Sequence, residues 1–437
     1  MTTYSDFVRS PAPSPGFIMC AARIRELRTE NTFMNRRDFL SATAFASIGF
    51  NLQAQQSKAI GDKPEKTEKE KEKPAPPPRR PVLISKHTGK LEPAYDLLRR
   101  GADTLDAVLL ACRTQEDDPD DTTVGLGGLP NQEGVVELDA CCMHGPTRRA
   151  GAVASVRDIK NVSLLSRVVM ERTDHLLLVG EGAKRFALAH GFKEENLLTD
   201  HARKVWLLWK ETMSNQDSWG PGLADPNWKP PVAVPQAWEE RLRKVEEVAA
   251  RVGIAPELRA QAIRQVLRPP TGTIHCSAVN ERGEMSGATS TSGLAWKIPG
   301  RVGDSPLIGA GCWTDQDVGS AGATGRGEEN IKICGAHTIV ENMRRGMAPQ
   351  EAGLDALRRI ARNYNNDMTR LRFVDMVFYI LRNDGAYAGV SLWSQRSSGQ
   401  PMQFAVHDGT YRVENCVGMF PGHSISWPPT PQVPKTS

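Results

Sequence analysis

Two spacings of apolar residues alternate along the chain from residue 81 onward. Stretches in which every second residue, or every residue, is apolar indicate strands, whereas repeats three and four residues apart indicate amphipathic helices. The strand patterns of the first half are PVLIS (81–85), VVELDACCM (135–143), RRAGAVASV (148–156) and HLLLVG (175–180), the last predicted to be a buried strand. The helix patterns are LEPAYDLLRRG (91–101), ADTLDAVLLACRTQ (102–115) and NVSLLSRVVMERT (161–173).

The second half of the chain repeats this alternation after residue 273. Its strand patterns are IHCSAVN (274–280), MSGATSTS (285–292), FVDMVFYIL (373–381), AYAGVSLW (386–393) and MQFAVHD (402–408). A Gly-rich loop follows the first two of them, and helices are predicted over AHTIVENMRRG (336–346) and APQEAGLDALRRI (348–360). Strands in both halves, each set flanked by helices, predict an α/β (α+β) protein with two stacked sheets between helical layers.

Residues 213–271 interrupt this order. They contain SWGPGLADPNWKPPVAVP and one charged helical piece, and they are rich in turn-forming residues. Because Gly and Pro punctuate regular structure, we interpret this segment as an exposed, flexible insertion that ends at Gly272.

The N-terminal 80 residues have a different composition. MNRRDFLSATAFASIGFNLQAQQ, from Met34, has paired arginines, a weakly apolar run and small residues near Ala54, which is typical of a twin-arginine export signal. We therefore predict that residues 1–54 are an N-terminal extension and signal, with translation starting at Met34, and that the protein is exported to the periplasm or secreted. Residues 55–80 are rich in Lys, Glu and Pro, and we interpret them as a disordered tether.

Composition narrows the class of protein. The 437 residues are 39% hydrophobic and 24% charged, enough apolar material for a sizeable core. The net charge of +4 comes without a basic face interleaved with aromatics, and no apolar run reaches bilayer length, so we expect neither a nucleic-acid partner nor a membrane span. The eight cysteines show no zinc-binding spacing; we favour buried free thiols, with one or two disulfides as the alternative.

Thr273 is the first candidate for chemistry. A threonine hydroxyl is a weak nucleophile that needs a base, and cleavage of the Gly272–Thr273 bond would free the α-amine of Thr273 for that role. An α-amine has a pKa near 8, which suits proton transfer close to neutrality. Gly272 tolerates strained backbone and offers no side chain to block attack on its carbonyl.

Two Gly-rich stretches supply further candidates. Arg301 and Asp304 lie three residues apart, and their charges match the α-carboxylate and the α-amine of a free amino acid. Thr324 and Gly325 offer a hydroxyl and a backbone N–H for an oxyanion hole. VGLGGLP (124–130) lacks the Lys-Ser/Thr of a phosphate-binding loop and does not fit a dinucleotide fingerprint.

Taken together, these motifs resemble the plant-type asparaginase family of N-terminal nucleophile hydrolases, which includes glycosylasparaginase and isoaspartyl peptidase. The matching segments are GTI (272–274), GATSTSG (287–293), GRVGDSP (300–306), GAG (309–311) and ATG (323–325), with GADTLDAV, LDACCMHG and HLLLVGEGAKRFALAHGF upstream. The resemblance extends from about residue 81 to beyond residue 410 and is nearest to the glycosylasparaginase branch.

The resemblance implies a four-layer αββα fold, made as a precursor that cleaves itself between Gly272 and Thr273. Residues 81–272 would form the α subunit, with a flexible loop from about 213, and residues 273–437 the β subunit. Thr273 would be the nucleophile and Thr291 would help to activate it. Arg301 and Asp304 would bind the substrate α-carboxylate and α-amine, while Thr324 and Gly325 would stabilise the oxyanion. No cofactor or metal is implied, and the assembly would be a dimer of cleaved αβ heterodimers.

Departures from the family pattern leave the substrate open. Thr271 and Gly272 precede the nucleophile, as in isoaspartyl peptidases, where glycosylasparaginases usually have His-Asp. His275 and Cys276 stand where small or apolar residues are usual, and Ser85 aligns with a tryptophan of glycosylasparaginases. We expect hydrolysis of β-aspartyl amides of the glycosylasparagine type; an isoaspartyl peptidase/L-asparaginase and a non-catalytic amino-acid-binding precursor are the alternatives. Thr-x-His also resembles γ-glutamyltransferases, but GRVGDSP argues against that family.

Overall fold

The computed structural model describes residues 80–86, 90–212, 235–270 and 272–425. For residues 235–241 it describes the backbone and not the side chains. The predicted export signal, nearly all of the predicted tether, residues 213–234 and Thr271 lie outside these ranges. All described residues belong to one contact unit, Ala75–Ser437.

Strands and helices alternate in the described chain. The strands are β1 (Val82–Lys86), β2 (Leu138–His144), β3 (Arg149–Val156), β4 (Leu177–Val179), β5 (Ile274–Val279), β6 (Met285–Thr291), β7 (Cys312–Asp315), β8 (Gly319–Gly325), β9 (Met376–Arg382), β10 (Tyr387–Trp393), β11 (Gln403–His407), β12 (Tyr411–Asn415) and β13 (Val417–Phe420). The helices are α1 (Glu92–Arg99), α2 (Thr104–Glu116), α3 (Val162–Arg172), α4 (Gly180–Ala189), α5 (Asp200–Thr212), α6 (Pro235–Arg251), α7 (Pro256–Leu267), α8 (Gly327–Ile333), α9 (Gly335–Arg344), α10 (Pro349–Asn363) and α11 (Met368–Leu371).

The strands form two mixed sheets. The larger has the order β12-β11-β1-β5-β6-β2-β3-β4, and the smaller has the order β13-β10-β9-β8-β7. Strands β5 and β6 of the first sheet pack against β8 of the second, while α2 covers the outer side of the first sheet and α9 and α10 cover that of the second. The chain is therefore an α/β protein whose two sheets lie between helical layers, as the apolar spacing predicts.

Alternation along β5 separates its two faces. Ile274, Cys276 and Ala278 pack with α1 and α2 in one buried cluster. His275 and Ser277 point the other way, toward the second sheet, where Ser277 Oγ lies 2.7 Å from Ser320 Oγ on β8. Thr273 directly precedes β5 in the same alternation as His275, so its side chain starts on the side of the space between the sheets.

The interpretation of 213–271 as an exposed insertion is wrong for its described part. Helices α6 and α7 pack with α5 around a buried cluster that contains Val245, Val248 and Val266. Trp209 of α5 stacks on Trp296 with ring centroids 5.0 Å apart, which ties this helical group to the segment before Arg301. Charged residues outnumber apolar ones in α6, so its narrow apolar stripe was hidden in the sequence pattern.

The strand predicted over HLLLVG is present but shorter, and its predicted burial is wrong. Only Leu177–Val179 form a strand, β4, which pairs with β3 alone and ends the larger sheet. Leu177 is 39% exposed and Val179 is 56% exposed, and α4 begins at Gly180. A run of apolar residues does not distinguish a central strand from an edge strand, since the neighbours decide its burial.

The Gly-rich loop predicted after residue 292 contains two strands, β7 and β8. A Cβ on Gly322 of β8 would lie 1.9 Å from Nδ1 of His275 on the facing sheet. Small residues therefore let the two sheets approach closely here. Because these residues stand in place of the β-branched ones by which a strand is usually recognised, β8 carries no strand signal in the sequence.

The described residues contain no disulfide. Cysteines 112, 141, 142, 276, 312, 334 and 416 are free, and only Cys334 is exposed. No helix in the described ranges is both long and apolar enough to cross a bilayer.

Candidate active site

Thr273 lies at the entrance to the space between the sheets. It directly precedes β5, a central strand of the larger sheet that pairs with β1 on one side and with β6 on the other. The side chain is 7% exposed, and its Oγ1 lies 3.5 Å from Oγ of Ser305. A nucleophile in this position is fixed by the sheet and still reaches a cleft.

The cleft brings together most of the residues proposed from the sequence. It is narrow in this chain, with a cavity volume of about 10 Å³, close to the minimum that holds one water molecule. Its walls are formed by Gly272, Thr273, Thr291, Gly293, Leu294, Arg301, Gly303, Asp304, Ser305 and Gly325. Thr324 is the one proposed site residue that does not line this cleft.

The carbonyl of Gly272 accepts a hydrogen bond from the side chain of Thr291. Thr291 Oγ1 donates to it at 2.8 Å, and the backbone N–H of Gly293 donates to Thr291 Oγ1 at 3.0 Å. A Cβ on Gly272 would lie 2.2 Å from Oγ1 of Thr123, so a glycine is needed here. Asp121 fixes that threonine by accepting from its hydroxyl at 2.6 Å and from its backbone N–H at 2.7 Å.

Arg301 and Asp304 present opposite charges to the cleft. Nε and Nη2 of Arg301 donate to Oε1 of Glu328 at 2.9 and 2.8 Å, which holds the guanidinium in one orientation. Asp304 is 4% exposed, and burial raises the pKa of its carboxyl above the usual range. Asn330 partly offsets this effect by donating to Asp304 Oδ2 at 2.7 Å. A buried carboxylate beside a fixed guanidinium is suited to a ligand that carries both an ammonium and a carboxylate.

Gly325 ends β8 at the rim of the cleft. Its φ of +129° is in the region that favours glycine, and a Cβ there would lie 2.2 Å from the carbonyl oxygen of Asp375. Thr324 pairs with Val377 of β9 and is partly exposed. Gly325 can therefore place its backbone against a reacting group at a point where any side chain would be excluded.

Three residues of the site were missed in the sequence. Ser305 contacts the Thr273 hydroxyl, Glu328 orients Arg301, and Asn330 binds Asp304. Ser305 is part of GRVGDSP and could have been considered as a neighbour of Asp304. Glu328 and Asn330 lie on α8, and no sequence spacing connects that helix to residues 301–304.

His275 does not line the cleft. It is fully buried between the sheets, with Nδ1 2.8 Å from Thr289 Oγ1 and Nε2 2.7 Å from Ser277 Oγ. Its backbone carbonyl accepts from Ser85 Oγ at 2.7 Å, so Ser85 also serves the sheet. Both ring nitrogens are occupied, which makes His275 part of the packing behind Thr273.

Asp375 lies behind Gly325 and gives the protein a testable pH dependence. Burial raises the pKa of its carboxyl to about 6, and its Oδ1 has no hydrogen-bond partner among the described residues. Because the folded protein binds this proton more tightly than the unfolded chain does, the stability it contributes is full below about pH 4 and is lost as the pH rises through 6.

We therefore expect Asp375→Asn to raise the free energy of unfolding by about 2 kcal/mol at pH 8 and to change it little at pH 4. Urea denaturation at the two pH values measures the difference, and Asp174→Asn, at an exposed aspartate, is the control. A gain of equal size at both pH values would contradict this account.

No group of His, Cys, Asp and Glu side chains suited to a metal ion occurs within the part of the chain that the structure describes. The chemistry that the cleft offers is carried by hydroxyls, a guanidinium, a carboxylate and backbone groups. These groups suit acyl transfer, since a hydroxyl, a guanidinium, a carboxylate and the backbone of Gly325 lie together.

The two helix-covered sheets, with a threonine at the start of a central strand, place the chain in the class of N-terminal nucleophile hydrolases. The family model described as Asparaginase matches residues 84–371, about two thirds of the chain, and the chain belongs to this family.

Similar proteins agree with that assignment. The chain is 34% identical over 379 residues to the N(4)-(beta-N-acetylglucosaminyl)-L-asparaginase of Elizabethkingia miricola, covering 86% of this chain and 92% of that protein. It is 35% identical to the rat protein of the same name, covering 62% and 74%. It is also 33% identical to a probable isoaspartyl peptidase/L-asparaginase 3 of Arabidopsis thaliana, covering 68% and 79%.

Proposed function

We propose that the protein is an amidohydrolase that cleaves the side-chain amide of asparagine derivatives through an ester on Thr273. The observation that carries the proposal is the cleft itself, where Thr273, Thr291, Arg301, Asp304 and Gly325 meet around the carbonyl of Gly272. Two of its relatives are named N(4)-(beta-N-acetylglucosaminyl)-L-asparaginase and probable isoaspartyl peptidase/L-asparaginase 3, and the opposite charges of Arg301 and Asp304 support a substrate with an α-carboxylate and an α-amine.

Maturation would begin with the precursor. Thr273 Oγ1 attacks the carbonyl carbon of Gly272, the C–N bond between the two residues breaks, and the acyl group passes from nitrogen to oxygen. Water then hydrolyses the ester, leaving a carboxylate on Gly272 and a free amine on Thr273. Thr291 stabilises the carbonyl oxygen as it becomes negative, because its hydroxyl already donates to that oxygen. The products are the α subunit, residues 81–272, and the β subunit, residues 273–437.

Catalysis would use the freed amine as the base. The amine accepts the hydroxyl proton of Thr273 while Oγ1 attacks the amide carbon, and it then protonates the departing nitrogen. Arg301 binds the α-carboxylate and Asp304 the α-amine, while Thr324 and Gly325 stabilise the oxyanion. Water releases aspartate from the β-aspartyl ester and restores the enzyme.

The preferred substrate is a glycosylasparagine-type amide, and isoaspartyl dipeptides with L-asparagine are the second candidate. Gly272 favours the second candidate, because it replaces the residue that precedes the nucleophile in glycosylasparaginases. Steady-state rates on glycosylasparagine, β-aspartyl dipeptides and asparagine, measured side by side, decide between them. If the chain stays intact and binds these amino acids without turnover, both enzyme functions are contradicted. The protein would then be a non-catalytic amino-acid-binding protein.

Three further parts of the proposal concern the whole protein. We place a twin-arginine export signal in residues 1–54 with the start at Met34, a tether in 55–80, and an assembly of two αβ heterodimers. N-terminal sequencing of the exported protein tests the first, since a mature N-terminus before Met34 would contradict it. Sedimentation of the processed protein tests the assembly.

We expect Arg301→Ala to raise KM between about 10- and 100-fold for substrates with a free α-carboxylate, with a smaller effect on kcat. A charge-assisted hydrogen bond of this kind contributes about 1.5 to 3 kcal/mol. Arg326→Ala is the matched control, because Arg326 also pairs with Glu328, at 3.1 Å, but does not line the cleft. Unchanged KM in Arg301→Ala would show that the carboxylate is bound elsewhere.

A further inference from the structure

A buried lysine supports the turn that carries Thr291. Lys297 is 2% exposed, and its Nζ donates to the backbone carbonyls of Ser292, at 3.2 Å, and Glu137, at 3.0 Å. A Cβ on Gly293 would lie 2.9 Å from that Nζ. The ammonium therefore lies directly beneath residues 291–293 and joins them to the start of β2.

The charges around this ammonium are arranged to keep it in place. Burial lowers the pKa of Lys297, and the nearby carboxylates of Asp139 and Glu137 oppose that effect. Asp139 is fully buried and pairs in register with Thr291; its Oδ1 accepts from the Ser155 N–H at 2.7 Å, while its Oδ2 has no hydrogen-bond partner among the described residues. A buried charge is costly compared with apolar packing, so its presence calls for a role in specifying geometry.

Glu137 extends the same support to the substrate clamp. Its carboxylate pairs with Arg157 at 2.8 Å and accepts from the backbone N–H of Gly300 at 3.1 Å, immediately before Arg301. One residue thus fixes the loop before the clamp through its side chain and holds Lys297 through its carbonyl. The turn that bears Thr291 and the loop that bears Arg301 are tied to the same point of β2.

What Lys297 fixes is the direction of one hydroxyl. Thr291 Oγ1 accepts from Gly293 N–H and donates to the Gly272 carbonyl, so its orientation depends on the turn between residues 291 and 293. Gly293 has a φ of +73°, and the carbonyl of Ser292 within the turn is held by Lys297. Without this contact the turn can shift, and a displacement of about 1 Å costs on the order of 100-fold in rate.

We infer that Lys297 is a positioning residue that aims the Thr291 hydroxyl at the Gly272 carbonyl for self-cleavage and then at Thr273 for hydrolysis. The inference rests on the proposed self-cleavage and adds a residue that does not touch the substrate.

The test follows cleavage of purified precursor over time for wild type and Lys297→Met. We expect cleavage to slow by about 100-fold in the variant, well below its melting temperature. After maturation, kcat on the preferred substrate should fall while KM stays close to that of wild type, because Arg301 and Asp304 remain. Lys184→Met is the matched control, since Lys184 bridges Asp158 and Glu194 away from the cleft.

A second variant separates positioning from stability. Lys297→Met/Asp139→Asn also removes the carboxylate that the single change leaves uncompensated, so its melting temperature should recover while cleavage stays slow. Three outcomes would overturn the inference. The first is cleavage at the wild-type rate in either folded variant, and the second is cleavage that recovers together with the melting temperature. The third is failure of both variants to fold. Absence of cleavage in the wild-type protein would instead contradict the proposed function.

Discussion

Thr273→Ala is expected to leave the chain whole and to remove hydrolysis. The substitution deletes the hydroxyl that attacks Gly272, so a denaturing gel should show one band in place of two fragments that meet at residues 272 and 273. Hydrolysis should fall by about 10⁴- to 10⁶-fold, as expected when a covalent nucleophile is removed. The side chain is small and lies at a strand start, so the fold should be retained.

Thr273→Ser is the matched control, because it keeps a hydroxyl at the same atom position. It should cleave and hydrolyse, although more slowly, since the missing methyl group leaves the hydroxyl less restrained. Mass spectrometry of the active wild-type protein provides an independent check. An unbroken bond between Gly272 and Thr273 together with full turnover would refute the mechanism.

Gly325→Ala is expected to lower kcat by about 10²- to 10³-fold, which is the usual cost of losing one oxyanion donor. A Cβ at this position would lie 2.2 Å from the carbonyl oxygen of Asp375, so β8 or the start of β9 must move. The shift displaces the backbone N–H from the reacting oxygen, and KM should change less than kcat.

Gly346→Ala controls for backbone strain. Gly346 has a φ of +95°, and a Cβ there meets nothing within 4 Å. Its replacement should cost about 1 kcal/mol of stability and leave kcat unchanged. Equal losses of kcat in the two variants would indicate that Gly325 acts only through stability.

The sequence predicts the centre of this fold better than its periphery. Strands β5 and β6 are recognisable because Ile274, Cys276 and Ala278 alternate with polar residues, and GRVGDSP is specific enough to identify the family. β8 was missed because its close approach to β5 requires small residues, which carry no strand signal. The burial of helices α6 and α7 was missed because it comes from α5 and Trp296, partners that local spacing does not reveal.

The residues of the site likewise divide into those that the sequence reveals and those that only the structure reveals. Motifs from the resemblance lead to most residues that face the cleft, whereas Glu328, Asn330 and Lys297 are recognised only through their contacts. Lys297 is the clearest example, because a lysine between Trp296 and Ile298 looks like a solvent-exposed residue in the sequence. Its burial depends on β2, which lies more than 150 residues earlier in the chain.

The strand order of the larger sheet determines what a cut before Thr273 would do to the molecule. Strands β12, β11, β5 and β6 follow the cut, and β1, β2, β3 and β4 precede it, so the two halves are interleaved at three junctions across one sheet. The fragments would remain together without a covalent link and separate only when the whole sheet unfolds. Either half produced alone would expose unpaired strand edges and would be prone to aggregate. The complete sheet must therefore fold in the uncut chain before the two fragments are formed.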